Sequence, residues 1–374
     1  MKTNKGLVSI LAIILGLLTG GLLMLAINSN PIEGFTYLFQ GGLKNVERIG
    51  NTIATATPLI LTGLSVAFAF KTGLFNIGSP GQMLFGGFCA TAVGLTVDMP
   101  RPLLLMLMII AGILGGALIA TVPGILKARF NVHEVVSTIM MNWTVYWFVY
   151  YMIPKYFKGQ YETESRPLKD VALFKLEWLS KLFDGSYINL GIILAIVAII
   201  VVGFILNKTT LGYELKAVGL NRDAAEYAGI PVNKNIILAM MISGGLAGLA
   251  GAVEFAGNTN IIQIGVLPSQ GFDGVAVSLL GANSPIGVLF AALFFGLLYT
   301  GSGFMSAMTE IPPEIANTIM ATIIYFAATS VIIERLITKM KVKKKQKELI
   351  TMVDNNKITM VDDKINEREG EGVC

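Results

Sequence analysis

The chain has 374 residues, 54% of them hydrophobic and only 14% charged, with mean hydropathy +0.68. Soluble proteins carry roughly 25% charged residues, so too few polar side chains remain to cover a water-facing surface, and the composition argues against a soluble globular enzyme. The net charge of +4 gathers beside apolar segments and is no footprint for a nucleic acid polymer. Two cysteines, Cys89 and Cys374, and one histidine, His133, offer no disulfide framework, no metal site and no Ser-His-Asp chemistry; no cofactor and no catalytic residue are expected.

A bilayer core about 30 Å thick takes roughly 20 apolar helical residues. Such runs lie at 7–27, 49–70, 80–97, 103–126, 135–153, 188–206, 236–257, 285–304 and 314–333, with a shorter, glycine-bracketed run at 271–282 that is a tenth span or a re-entrant half-helix. The first begins as a signal peptide does, behind Lys2 and Lys5. It outruns a usual signal core and lacks a small-residue cleavage site, so it reads as a retained helix.

Orientation follows the basic residues. Lys2 and Lys5, then Lys71, then Lys127 and Arg129, then Lys208, Lys216, Arg222 and Lys234 fall at alternate ends, and residues 335–347 hold seven basic residues and no acidic one. If the short run crosses, the fold is all-α and polytopic, with about ten transmembrane helices, both termini cytoplasmic, in the plasma membrane. Residues 1–335 form the transmembrane domain, with an extracytoplasmic loop at 154–187 anchored by Tyr156 and Trp178, and a cytoplasmic segment at 207–235. Residues 336–374 turn from basic to acidic, repeat Ile-Thr-Met-Val-Asp, and read as a flexible cytoplasmic tail.

Residues 73–82, Gly-Leu-Phe-Asn-Ile-Gly-Ser-Pro-Gly-Gln, interrupt two apolar runs. Two readings stand level. One is backbone unwound at membrane depth, its polar groups satisfied by Asn76, Ser79 and Gln82; the other is a tight cytoplasmic turn. His133-Glu134 reads as a polar helix start with no role assigned. Asn142 lies on one helical face with Tyr146 and Tyr150; the aromatic residues at 146–151 read foremost as an interfacial belt, leaving Asn142 and Trp143 as pocket candidates. In 207–235, Asn221 caps a helix of about two turns, Asp223 lies in its first turn, Gly229 stops it before Pro231, and Ala224, Ala225 and Ala228 give it a small apolar face. So short a helix is unstable alone; it packs on its own bundle or docks into a partner. Glu254 is an intramembrane carboxylate that either reaches the outer headgroups or accepts hydrogen bonds from a solute's N–H or O–H groups. Asp273 caps the short helix or faces the translocation path, with capping favoured.

Several blocks resemble the integral membrane permease of ATP-binding-cassette importers, in the branch that includes ribose, branched-chain amino acid and nucleoside systems. Phe75-Asn-Ile-Gly-Ser-Pro-Gly-Gln82 is similar to that branch's Phe-Asn-Ile-Gly-x-x-Gly-Gln signature. Residues 217–230 resemble its cytoplasmic coupling segment, followed by the Gly/Ala-rich run 243–252, and residues 271–282 match a further block. The resemblance spans about 49–335 and lies nearest the nucleoside permeases; Pro80 stands where many relatives carry Glu, so no role resting on that carboxylate carries over. It implies a permease subunit that moves nucleosides delivered by an extracytoplasmic binding lipoprotein, beside a second permease in a homo- or heterodimer. A separate ATP-binding subunit docks on Asn221, Arg222, Asp223, Ala224, Ala225, Glu226 and Gly229. The chain has no Gly-x-x-x-x-Gly-Lys-Ser/Thr phosphate loop of its own. The substrate-path candidates are Asn76, Ser79, Gln82, Asn142, Trp143, Glu254 and Asp273. The competing expectations are a permease for a ribose-like sugar or a branched-chain amino acid, an ion-coupled secondary transporter, and a membrane-embedded enzyme, for which no cluster of His, Asp or Glu stands out.

Overall fold

The computed structural model describes residues 5–329; the basic run at 335–347 and the expected tail at 336–374 lie outside them. The described chain is all-helical: α1 (Lys5–Ala26), α2 (Pro31–Leu43), α3 (Val46–Lys71), α4 (Ser79–Thr96), α5 (Arg101–Phe130), α6 (Glu134–Tyr156), α7 (Glu177–Leu182), α8 (Gly191–Lys208), α9 (Thr210–Leu220), α10 (Arg222–Tyr227), α11 (Val232–Val253), α12 (Ser269–Leu280), α13 (Pro285–Met308) and α14 (Glu314–Ala328). Within the described residues, each of the ten apolar runs coincides with a helix. Six helices, α1, α3, α5, α8, α11 with its terminal turn, and α13, are long and apolar enough to cross a membrane. The other four runs, α4, α6, α12 and α14, are shorter or more polar.

Local chemistry sets the boundaries. Asn30, Asn45 and Ser284 each accept a backbone N–H at a helix start, proline opens α2, α4, α5 and α13, and Asn131 ends α5 at φ 51°. The apolar stretches of α3 and α11 are 83% and 72% buried, those of α1 and α8 only 22% and 28%, so the former pair is central and the latter peripheral. Leu22, Leu118, Ile200 and Phe204 point outward, an apolar rim suited to lipid rather than water.

The tightest packing joins α5 to α11. A Cβ on Gly116 would overlap the Gly244 carbonyl, and one on Gly248 the Gly112 carbonyl. α4 joins this seam, because a Cβ on Gly251 would overlap the Met83 carbonyl. Backbones this close exclude any side chain between them, which is how small residues bind membrane helices.

Two breaks interrupt the regular pattern. Between α3 and α4, residues 72–78 are irregular. α12 has only 12 residues, about 18 Å. It begins inside the bundle, where Gly271 meets Pro80 and Gly274 meets Thr62; it ends near α1, where Ser9 Oγ donates to the Leu280 carbonyl (2.7 Å). The helix covers the half of the bundle toward Lys71, and irregular residues 259–268 supply the other half. At that opposite end, the 157–190 loop pairs with residues 256–264 through backbone bonds such as Ser165 N–H to Ile262 O (2.9 Å) and Leu168 N–H to Asn260 O (3.1 Å).

Candidate functional site

Three structures carry the residues singled out by sequence. The first is the α3–α4 break. Asn76 and Gln82 are fully buried. Asn76 Nδ2 donates to Gln82 Oε1 (2.9 Å) and to Ser243 Oγ on α11 (2.8 Å), while Asn76 Oδ1 accepts from Gly78 N–H (3.0 Å) and Gln82 Nε2 (3.1 Å). Ser243 Oγ in turn donates to the Ser65 carbonyl on α3 (2.8 Å). Asn142 of α6 holds the other side, accepting from Gly81 N–H (2.9 Å) and donating to Ile77 O (3.0 Å). Asn142 lies about 12 Å into α6 and Ser243 about 17 Å into α11, at 1.5 Å per residue. The break therefore climbs into the bundle and is no tight surface turn; side-chain amides replace the missing helical bonds. Ser79 is buried, but its hydroxyl has no partner among the described residues. Trp143 points away, half-exposed, its ring 5.4 Å from that of Tyr146.

The second structure is a cleft of about 350 Å³ at the end away from Lys71, lined by Glu254, Phe255, Thr259, Gln263, Val266 and Gln270, among others. Glu254 opens a wider helical turn, Glu254–Asn258, in which Thr259 N–H reaches the Glu254 carbonyl (3.0 Å); such turns re-aim side chains. One Glu254 oxygen accepts from Asn258 Nδ2 (2.8 Å), the other from Gln270 Nε2 (3.3 Å), and no ion pair reaches it among the described residues. Gln270 O accepts from Thr62 Oγ1 (2.9 Å), which ties the cleft to α3. Nearby, Tyr187 OH and Thr55 Oγ1 lie 2.8 Å apart. Burial pushes the Tyr187 phenol above its ordinary range; the Thr55 bond draws it partly back, and the charge on Glu254 adds to the rise. Asp273 does not cap α12, which begins four residues earlier at Ser269; within the helix, its carboxylate accepts from Tyr299 OH (2.7 Å).

The third structure is the α9–α10 connector. Asn221 Oδ1 accepts from Ala224 N–H (3.0 Å). Gly229, at φ +81°, turns the chain so that Ile230 N–H reaches Ala225 O (3.0 Å). The helix has six residues, shorter than the two turns expected. Only Ala225 is buried, while Ala224 and Ala228 face outward, so the expected alanine face shrinks to one residue. Asp223, Glu226 and Gly229 are exposed too, and Arg222 reaches Asn131 (3.5 Å) and Asn233 (3.3 Å). Leu220 and Tyr227 are 88% and 95% exposed. Just before α10, a Cβ on Gly219 would overlap the Lys71 carbonyl; the connector rests backbone to backbone on the foot of the break.

The structure thus joins Asn76, Gln82 and Asn142 in one hub, sets Glu254 apart on the cleft, and leaves Trp143 outside both. Sequence reasoning passed over Ser243, Asn258, Gln270 and Tyr187. Two left a trace: Asn258 stands four residues after Glu254, and Gln270 three before Asp273, each on one helical face.

Residues 48–328 match the family described as "Branched-chain amino acid transport system / permease component". The chain is similar to the nucleoside ABC transporter permease protein NupB of Lactococcus lactis, 44% identical over 91% of this chain and 95% of the relative. It is 42% identical to the guanosine ABC transporter permease protein NupP of Bacillus subtilis, over 90% of this chain and 97% of the relative. The glucose ABC transporter permease protein TsgB13 of Haloferax volcanii is 30% identical, over 87% and 88%.

Proposed function

We propose a function from one premise: the chain belongs to the permease-component family of branched-chain amino acid transport systems. It is the membrane-spanning subunit of an ATP-binding-cassette importer for nucleosides, a cargo supported by the names of the relatives at 44% and 42% identity over that of the one at 30%. The observation that carries the mechanism is the connector. A capped six-residue helix with exposed Leu220 and Tyr227 stands at the end where Lys71, Lys127, Arg129, Lys208 and Arg222 gather, the cytoplasmic end by the positive-inside rule. There it offers itself to a separate ATP-hydrolysing subunit through Asn221, Arg222, Asp223, Ala224, Ala225, Glu226 and Gly229.

Both termini lie on that side, with about ten crossings of the bacterial plasma membrane once α4, α6, α12 and α14 are counted. The 154–187 loop then faces outward, toward a binding lipoprotein, and a second permease completes the pathway. Asn76, Gln82 and Asn142 hold the hinge beside the path, with the buried hydroxyl of Ser79 at its turn into α4; Glu254 and Asp273 face the solute, and Trp143 lies at the membrane or partner boundary. Subunit closure on nucleotide binding moves α10, and Gly219 passes that motion to the break.

The test is reconstitution. Vesicles holding the two permeases, the ATPase subunit and the binding protein take up nucleoside only with ATP, and this chain alone moves none even under an ion gradient. Replacing Gly229, whose backbone lies in the left-handed region, with leucine keeps membrane insertion but abolishes ATPase co-purification and uptake. Unchanged uptake refutes the docking role.

A further inference from the structure

The cleft beside Glu254 has a chemistry more selective than a passage requires. Its volume, about 350 Å³, is at the small end of ligand sites. Phe255, Ile261, Val266 and Pro268 give it apolar walls, Thr259 and Gln263 lie at the exposed side, and the half-buried Glu254 and Gln270 supply a polar end. An ionised carboxylate offers about four acceptor positions and no donor. Here two are taken, by Asn258 Nδ2 and Gln270 Nε2, one on each oxygen. Among the described residues one open position therefore remains on each oxygen of the ionised group, and both oxygens belong to a side chain that lines the cleft. The group that fills them brings two parallel N–H donors, the geometry that carboxylates bind most firmly. Gln270 adds one amide donor beside them.

Resting on the nucleoside reading above, we infer that this cleft is a base-reading subsite for a two-donor purine: the ring N–H and exocyclic amine of guanine face Glu254, its carbonyl faces Gln270, and Phe255 with Val266 and Pro268 takes the ring faces. Adenine and cytosine present one donor beside a bare ring nitrogen, whose lone pair opposes the carboxylate. Uracil presents one donor between two carbonyls. A site built on polar pairing rejects such mismatches far more strongly than an apolar slot does. A side-chain amide, with one donor and one acceptor, complements adenine's edge instead.

The test uses the complete transporter in vesicles with guanosine and adenosine, comparing variant with parent for each solute so that the binding protein's own preference cancels. Glu254→Gln lowers guanosine uptake about tenfold more than it lowers adenosine uptake; Gln270→Leu shifts the ratio the same way by a smaller factor. Proportional losses for both solutes, or no change in either, overturn the inference. A variant that fails to assemble shifts the decision to the parent transporter, where light-activated 8-azidoguanosine labels residues 254–270; labelling confined to other segments overturns it equally. If the parent moves neither nucleoside, the nucleoside reading itself falls. If it moves both and the variants do not alter their ratio, only the base-reading subsite falls.

Discussion

The α4–α5–α11 seam and the α3–α4 break are neighbours held by opposite means. In the seam, carbonyls of Gly112, Gly116 and Met83 fill the places where side chains of Gly248, Gly244 and Gly251 would stand. Nothing there can rotate or exchange partners, and the contact is lost as soon as the backbones part. The break is held by Asn76, Gln82, Asn142 and Ser243, whose amides and hydroxyl can trade one partner for another as the backbone shifts. Steric contact makes a rigid body, while side-chain hydrogen bonds make a joint with more than one satisfied arrangement. The second region is therefore the one able to rearrange while the first stays rigid.

Three substitutions test that contrast, in descending order of effect. Gly248→Leu forces a branched side chain into the Gly112 and Gly116 backbones and costs well over about 3 kcal/mol; size-exclusion chromatography of detergent extracts shows aggregate in place of a monodisperse peak. A variant that purifies and transports normally would show the seam to be compliant. Asn76→Leu keeps the volume but strands Gly78 N–H and the Gln82 amide and takes one donor from Ser243, at about 3 kcal/mol. The protein still inserts, with a lowered thermal midpoint and weak uptake; an unshifted midpoint means that the hub does not hold the break. Gly219→Ala pushes the connector off the Lys71 carbonyl and costs about 1 kcal/mol of stability. The ATPase subunit still co-purifies, yet uptake per ATP hydrolysed drops about threefold. Equal losses in binding and uptake would make Gly219 a packing residue only.

The helices were legible because apolar runs of this length leave the chain little choice, and within the described residues all ten runs became helices, most with ends displaced by a few residues. α2 was not, since Glu33, Gly34, Thr36 and Gln40 dilute its apolar pattern and its fit rests on α13, where a Cβ on Gly41 would stand 2.7 Å from Gly301 Cα. α9 was hidden inside a polar connector. In the hub, Asn76 and Gln82 showed as polar groups needed by an unwound backbone, whereas Ser243 read as one more small residue of a glycine-rich helix. The cleft depends on Glu254 meeting Gln270 across a chain reversal, a pairing that no local pattern carries. Asp273 misled because glycines on both sides imitate a helix start, while α12 opens at Ser269 after Pro268.

The backbone stitching between the 157–190 loop and residues 256–264 has a consequence for how such a transporter can change over time. Gln263 belongs to the cleft wall, and its chain neighbours Ile262 and Ile264 bond to Ser165 and Thr163. On the proposed reading, the surface that would greet an arriving carrier and the wall that would greet its cargo are one piece of fabric. A change that recuts one side would then disturb the other, which ties courier and gatekeeper to a shared inheritance.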